Sequence, residues 1–270
     1  MTNPCRRHFQ RVTAAVAAAA VAGPAMTMEG STVYELHLAK LQQDYLRLKQ
    51  VQSTEGKAEL KKQLLPEYIP YVEGVLAGGK GAQDQVLTTL MVWRMDAGDF
   101  SGALDIAEYV IEHALLMPDR FERTTGTIVA EEIAEVALKA QKAGGTFDVN
   151  LLLRTEQIAG EEDMPDQAKA KLHLALGKAF AEMVSDDDTS ESKVIALCNL
   201  ESSKKYLARA IELNTNCGGK KDLERVERLR ATRLLHPASV GGILQSSGEV
   251  STVNGGVGQI SLNRRPNAKR

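Results

Sequence analysis

Three kinds of pattern in this chain have the residue types for chemistry. The sharpest is Gly74-Val75-Leu76-Ala77-Gly78-Gly79-Lys80-Gly81, which has the G-x-x-x-x-G-K spacing of a phosphate loop. Such a loop cradles phosphates with backbone N–H groups, and the Ser or Thr after its lysine holds magnesium. Gly81 stands where that hydroxyl is needed, and Pro66 and Pro70 precede the run where a buried strand is required. The glycines therefore read as a flexible joint. The acidic runs Glu161-Glu162-Asp163 and Asp186-Asp187-Asp188 carry the carboxylates with which a nuclease holds magnesium and positions water. Each run also lies beside an expected helix start, where the helix dipole alone favours acids. The five histidines, His8, His37, His113, His173 and His236, show no H-x-x-x-H spacing. Cys5, Cys198 and Cys217 form no C-x-x-C pair, which suits a reducing cytoplasm better than a disulfide framework. Spacing alone proposes no catalytic residue, triad or metal cluster.

Basic clusters are the remaining signal. The formal net charge is −2, so attraction to nucleic acid must come from local patches. Arg6, Arg7 and Arg11 lead the chain, and Arg264, Arg265, Lys269 and Arg270 end it, with no acid in either cluster. Lys57, Lys61 and Lys62 sit on an expected short helix, and Lys80 follows the glycines. These eleven are the candidate DNA contacts. The cations of residues 220–233 are half offset by Asp222, Glu224 and Glu227. Any such cluster also serves as an ordinary solvated face.

The elements that must position these groups read as helices. Aromatics make up 4% of the chain while alanine and leucine abound, which favours helix over sheet. The organising stretch is Lys80 to Pro118, a helical hairpin. Its first helix spans about Ala82 to Ala97 with the single tryptophan, Trp93, as a core residue. Gly98 ends that helix, Asp99 caps the next, and Pro118 stops it. Ala103, Leu104, Ala107, Val110, Ile111, Ala114 and Leu115 form the inward stripe. Asp105, Glu108 and Glu112 on the polar face argue against a DNA-reading helix-turn-helix.

Residues 1–30 read as a mobile basic, alanine-rich arm; the run imitates a signal peptide but is too weakly apolar for one. Residues 31–160 read as a helical core, with PEYIPY as a turn carrying partly buried aromatics. Residues 161–236 read as a helical hairpin with a capping helix, in which Leu176-Gly177 and YLARAIELN have a tetratricopeptide look. Its first inward stripe is Ala168, Leu172, Ala175, Leu176, Ala179, Phe180 and Met183. Residues 237–270 are Gly/Ser-rich and read as a disordered tail with a basic tip. The fold class is all-α.

The runs RRHFQRVTAA, STVYELHLAKL, LLPEYIPYVEGVL, KGAQD, MVWRMDAGDFSGALDIAEYV, EDMPDQAKAKLHLALGKAF and YLARAIELN follow one another in order. Together they resemble the M-type small terminase subunits of tailed bacteriophages of the coliphage P-two group. The resemblance implies a subunit that binds phage double-stranded DNA at the cohesive-end packaging site. It also implies a large ATPase subunit as partner, a homo-oligomer, no membrane association, and the cytoplasm of the bacterial host. The family is labelled the endonuclease subunit, which a protein directing the cut would also earn. No cofactor is expected; an intrinsic nuclease would need Mg2+, and a scaffold without DNA binding is the other rival. With Gly81 in the hydroxyl position, the protein alone should hydrolyse no ATP. ATPase activity that co-purifies with it and disappears in Lys80→Ala would contradict this.

Overall fold

Two helices of small residues set the geometry of the N-terminal half. The first, α1 (Pro4–Ala20), is capped by the Asn3 side chain, which accepts the Cys5 N–H at 2.9 Å, and has Pro4 at its start. The second, α4 (Ile69–Gly78), carries Gly74 and Gly78 one turn apart. A Cβ on Gly74 would lie 2.6 Å from the Ala14 Cβ, and one on Gly78 would lie 2.5 Å from the Ala15 carbonyl oxygen. Residues 14 and 15 thus face 74 and 78 in the same order, so the helices run side by side in one direction. Ala14 and Ala18 are fully buried in this seam.

The structure is a computed structural model, and it describes residues 3–21, 32–118, 123–185 and 189–235, all within one compact unit, Met1–His236. Among these residues it is all-α. The remaining helices are α2 (Thr32–Gln50), α3 (Thr54–Leu64), α5 (Gln85–Asp96), α6 (Phe100–Glu112), α7 (Thr125–Lys142), α8 (Val149–Ala159), α9 (Asp166–Glu182), α10 (Ser190–Leu213) and α11 (Lys220–Leu235). A single 3-10 turn, Leu65–Glu67, joins α3 to α4.

The hairpin α5–α6 forms as its sequence dictates. Gly98 takes φ +81°, its N–H bonds the Met95 carbonyl and the Asp99 N–H bonds that of Arg94. The Asp99 carboxylate then accepts the Gly102 N–H at 3.0 Å and starts α6. Trp93 is buried and meets Tyr68 edge-on at 6.4 Å. The end of α6 differs from the proline stop. The helix closes at Glu112, and Ala114 at φ +52° makes the left-handed turn usually given to glycine. Ala114 is consequently exposed, whereas Leu115 is buried.

Beyond the hairpin, α7 packs on α8 and α9, and α9 on α10. Gly177 lets α10 approach α9: a Cβ there would lie 2.6 Å from Leu207 Cγ, and the Ser203 hydroxyl donates to the Gly177 carbonyl at 2.6 Å. Asn199 reaches the Met183 carbonyl, so the two helices are antiparallel, and α11 covers α10. Leu172, Ala175, Leu176 and Ala179 join the main core across residue 160. Met183, placed on that inward stripe by periodicity, is half exposed at the helix end.

Three sequence expectations change here. Residues 4–20 form a packed helix rather than a mobile arm, because Ala14 and Ala15 fit against Gly74 and Gly78 of α4. Gly74 and Gly78 are packing positions inside a helix, not a joint. PEYIPY is a 3-10 turn leading into α4, and Tyr68 and Tyr71 are wholly buried. Residues 237–270, with the expected tail, lie outside the described residues. Leucine at Gly74 or Gly78 should overpack the seam and destabilise the protein by about 1–3 kcal/mol. Urea unfolding would measure this, and trypsin should cut faster at Arg7 and Arg11. Unchanged stability and digestion would refute the seam.

Candidate nucleic-acid interface

The seam turns the N-terminal arginines into a braced basic end. Arg6, Arg7, His8 and Arg11 are exposed on the first turns of α1. Pro4, Arg7, His8 and Arg11 line a shallow cleft with Glu73 of α4, and the Arg11 guanidinium stands 4.0 Å from that carboxylate. Arg6 and Arg7 pair with no carboxylate among the described residues. Glu73 also borders a groove of about 410 Å3 between α4 and the α5–α6 hairpin. Leu65, Ile69, Val72, Leu76 and Ala97 give this groove its apolar lining, and Lys62 stands at its edge. Arg7 and Arg11 therefore share one cleft with Glu73, while Lys62 lines the neighbouring groove together with Asp99 and Asp105.

The other candidates do not join them. Lys61 is tied to Asp96, leaving its side chain only 15% exposed, so it is a structural cation rather than a free one. Lys62 itself has a looser partner, Glu59 at 3.7 Å. Lys57 is half-buried on α3, and Lys80 is exposed past the far end of α4. Arg264, Arg265, Lys269 and Arg270 lie outside the described residues, as do Asp186, Asp187 and Asp188.

Among the described residues no three His, Cys, Asp or Glu side chains stand close enough to hold a metal ion. Glu161 and Asp163 are exposed, while Glu162 packs over Gly126 at the start of α7. On α6, Asp105 and Glu108 both hold Arg154 of α8, at 2.8 and 3.1 Å. That hairpin face is thus occupied by helix packing. Periodicity did not single out a second cleft, of about 350 Å3, between α8, α9 and α10. Lys169, His173, Arg209, Glu156 and Glu161 line it. The Tyr206 hydroxyl donates to Glu156 at 2.6 Å, and burial lowers the His173 pKa. Its signal was the i, i+4 pairs Lys169/His173 and Lys205/Arg209 on adjoining helices.

The chain is 41% identical over 228 residues to the terminase endonuclease subunit of Escherichia phage P2, covering 84% of this chain and 85% of that one. It belongs to the phage small terminase subunit family. The family's model, "Phage small terminase subunit", matches residues 38–167. The probable terminase endonuclease subunit of Haemophilus phage HP1 is 28% identical over 241 residues, 83% of this chain and 82% of that one. No solved structure matches.

The family-matched segment holds the two buried polar contacts that fix α4. The Tyr68 hydroxyl donates to Asp44 of α2 at 2.8 Å, and Asp44 also holds Lys40 at 2.8 Å and Arg47 at 3.0 Å. The Tyr71 hydroxyl donates to Asp84 at 2.6 Å, and Asp84 caps α5 by accepting the Leu87 N–H at 2.9 Å. His37 stacks on Tyr71 with ring centroids 4.3 Å apart. Asp84 is fully buried, which raises its carboxyl pKa to about 6 against the pull of these hydrogen bonds. Between the unfolded carboxyl pKa, about 4, and that value, the folded protein holds the extra proton. Asp84 therefore makes stability fall as pH rises through this window, by up to about 3 kcal/mol. Asp84→Asn has no such proton. Its stability relative to the parent should rise by that amount between pH 4 and pH 7 in urea titrations. A pH-independent difference would refute the assignment.

Proposed function

We propose that this subunit binds phage DNA at the cohesive-end packaging site and presents it to the large ATPase subunit for cleavage and packaging into proheads, in the host cytoplasm. The observation carrying this reading is the exposed arginine end of α1, braced by α4, with Arg6 and Arg7 unneutralised and Arg11 only loosely paired. Arginines on a fixed helix end meet a phosphate row without first being ordered. The relatives are named endonuclease subunits, and directing the cut fits the chain better than making it. Arg7 and Arg11 share their cleft with Glu73, and Glu161 and Asp163 lie exposed on the segment between α8 and α9. Among the described residues no helix is long and apolar enough to cross a membrane.

Binding of cohesive-end and random duplexes across a salt series, with and without the large subunit, tests this. Replacing Arg6, Arg7 and Arg11 with alanine should flatten the slope of log affinity against log salt by up to about 2–3, at ~0.9 per phosphate contact. Circular dichroism would check that α1 persists. An unchanged slope would move the DNA surface to Lys57, Lys62, Lys80 or the C-terminal arginines. Magnesium-dependent nicking by the purified protein alone would favour an intrinsic nuclease, and no DNA shift at low salt would favour a scaffold.

A further inference from the structure

Helix α11 mixes both signs of charge in sequence, but the fold sorts them by side. Val226 is fully buried with Leu200 and Leu207 of α10, which sets the rotation of the helix. Two of its acids are then spent on neighbouring helices. Asp222 holds Lys178 of α9 at 3.2 Å, and Glu227 holds Lys204 of α10 at 3.0 Å. Arg230 is likewise spent on Glu201 of α10 at 2.6 Å. Lys221, Arg225 and Arg228 recur at i, i+4 and i+7, and all three are exposed. Arg225 has a loose tie to Asp222 at 3.6 Å, with Glu182 of α9 close by. Lys221 and Arg228 pair with no carboxylate among the described residues. Lys220 adjoins them, and Glu224 is the acid exposed on the same side. Arg233, at the other end of the helix, donates to the Ser185 carbonyl at 2.9 Å, and Asp186, Asp187 and Asp188 follow Ser185 in sequence.

We propose that the outer side of α11 is a second contact for the phosphate backbone of duplex DNA, separate from the arginine end of α1. At 1.5 Å of rise per residue, Lys221, Arg225 and Arg228 extend over roughly 10 Å, about three phosphate steps along one strand. Their charge is open to a phosphate because the acids that offset it in sequence, Asp222 and Glu227, are engaged with α9 and α10. A contact of this kind reads charge and not bases, so it adds affinity and holds orientation without a sequence preference of its own. The inference rests on the reading that this subunit binds DNA, and not on the part that α1 plays in it.

The test is binding of the full chain to a random-sequence duplex across a salt series, read by fluorescence anisotropy. Lys221→Gln/Arg225→Gln/Arg228→Gln should flatten the slope of log affinity against log salt by up to about 2–3, at ~0.9 per phosphate contact. Combined with alanine at Arg6, Arg7 and Arg11, the two losses should add. Lys49→Gln/Lys139→Gln/Lys142→Gln removes the same charge from exposed positions on α2 and α7 and should leave the slope as in the parent. Glu224→Gln should tighten binding at low salt, a gain that loss of folding does not imitate. Circular dichroism and urea unfolding would confirm that each variant folds. A parent that binds no DNA overturns this inference together with the function it rests on. A parent that binds, while the α11 variant flattens the slope no more than the α2/α7 variant does, overturns this inference alone. So does a Glu224→Gln variant that binds no tighter than the parent.

Discussion

Two helices can approach to backbone contact only where neither carries a side chain larger than a methyl group, and α1 and α4 meet under that restriction. Gly74 and Gly78 supply the empty positions, and Ala14, Ala15 and Ala18 fill them. Little apolar area is available per residue in such a seam, so its strength comes from many close dispersion contacts rather than from large buried side chains. That makes it sensitive to shape. A leucine would add apolar area and still lose, because the volume it needs belongs to the partner's backbone. The placement of every arginine near the N-terminus follows from this fit.

The seam would be of little use if α4 itself could slide. Two buried tyrosine–aspartate hydrogen bonds hold it in register, Tyr68 to Asp44 on α2 and Tyr71 to Asp84 at the start of α5. They differ in electrostatics. Asp44 has Lys40 and Arg47 beside it, and its pKa is lowered although burial pushes the other way. Among the described residues Asp84 has no cation within ion-pair distance and relies on the Tyr71 hydroxyl and backbone N–H groups, so burial wins and its pKa rises. Both contacts give α4 a fixed rotation as well as a fixed position, since a buried hydroxyl left without its acceptor is costly. Rotation is what sends Gly74 toward α1 while Glu73 stays at the surface.

Where the sequence was legible, the information was local. The α5–α6 hairpin could be read from Gly98, Asp99 and the stripe on α6 because caps and helical periodicity act within a few residues. The same local rule starts α8, where the Asp148 side chain caps the helix by accepting the Asn150 N–H. Where it was not legible, the deciding partner was distant. Alanine and glycine carry almost no signal of burial by themselves, so α1 resembled an arm and α4 a joint until each met the other. Lys61 resembled a free cation because Asp96 lies 35 residues away. Ala114 hid a left-handed turn because alanine gives no hint of one, and Leu115, docking in the core beyond it, supplies the reason for the reversal. The candidate interface was legible as composition, in Arg6, Arg7 and Arg11, but not as a surface with Glu73 and Lys62 at its edge.

The way charges are spent on this surface bears on the proposed DNA contact. Several cations of the helical body are committed: Arg154 to Asp105 and Glu108, Lys171 to Glu131 and Glu135, Lys178 to Asp222, Lys204 to Glu227, Arg230 to Glu201. A phosphate approaching any of these must displace a carboxylate already in place. The Arg11–Glu73 pair is different, because at 4.0 Å with both side chains about half exposed it belongs to a class worth at most about 1 kcal/mol. Exchanging Glu73 for a phosphate oxygen costs little and gives Arg11 a bidentate partner. In the DNA complex proposed above, Glu73 would act as a placeholder that releases Arg11 to a phosphate.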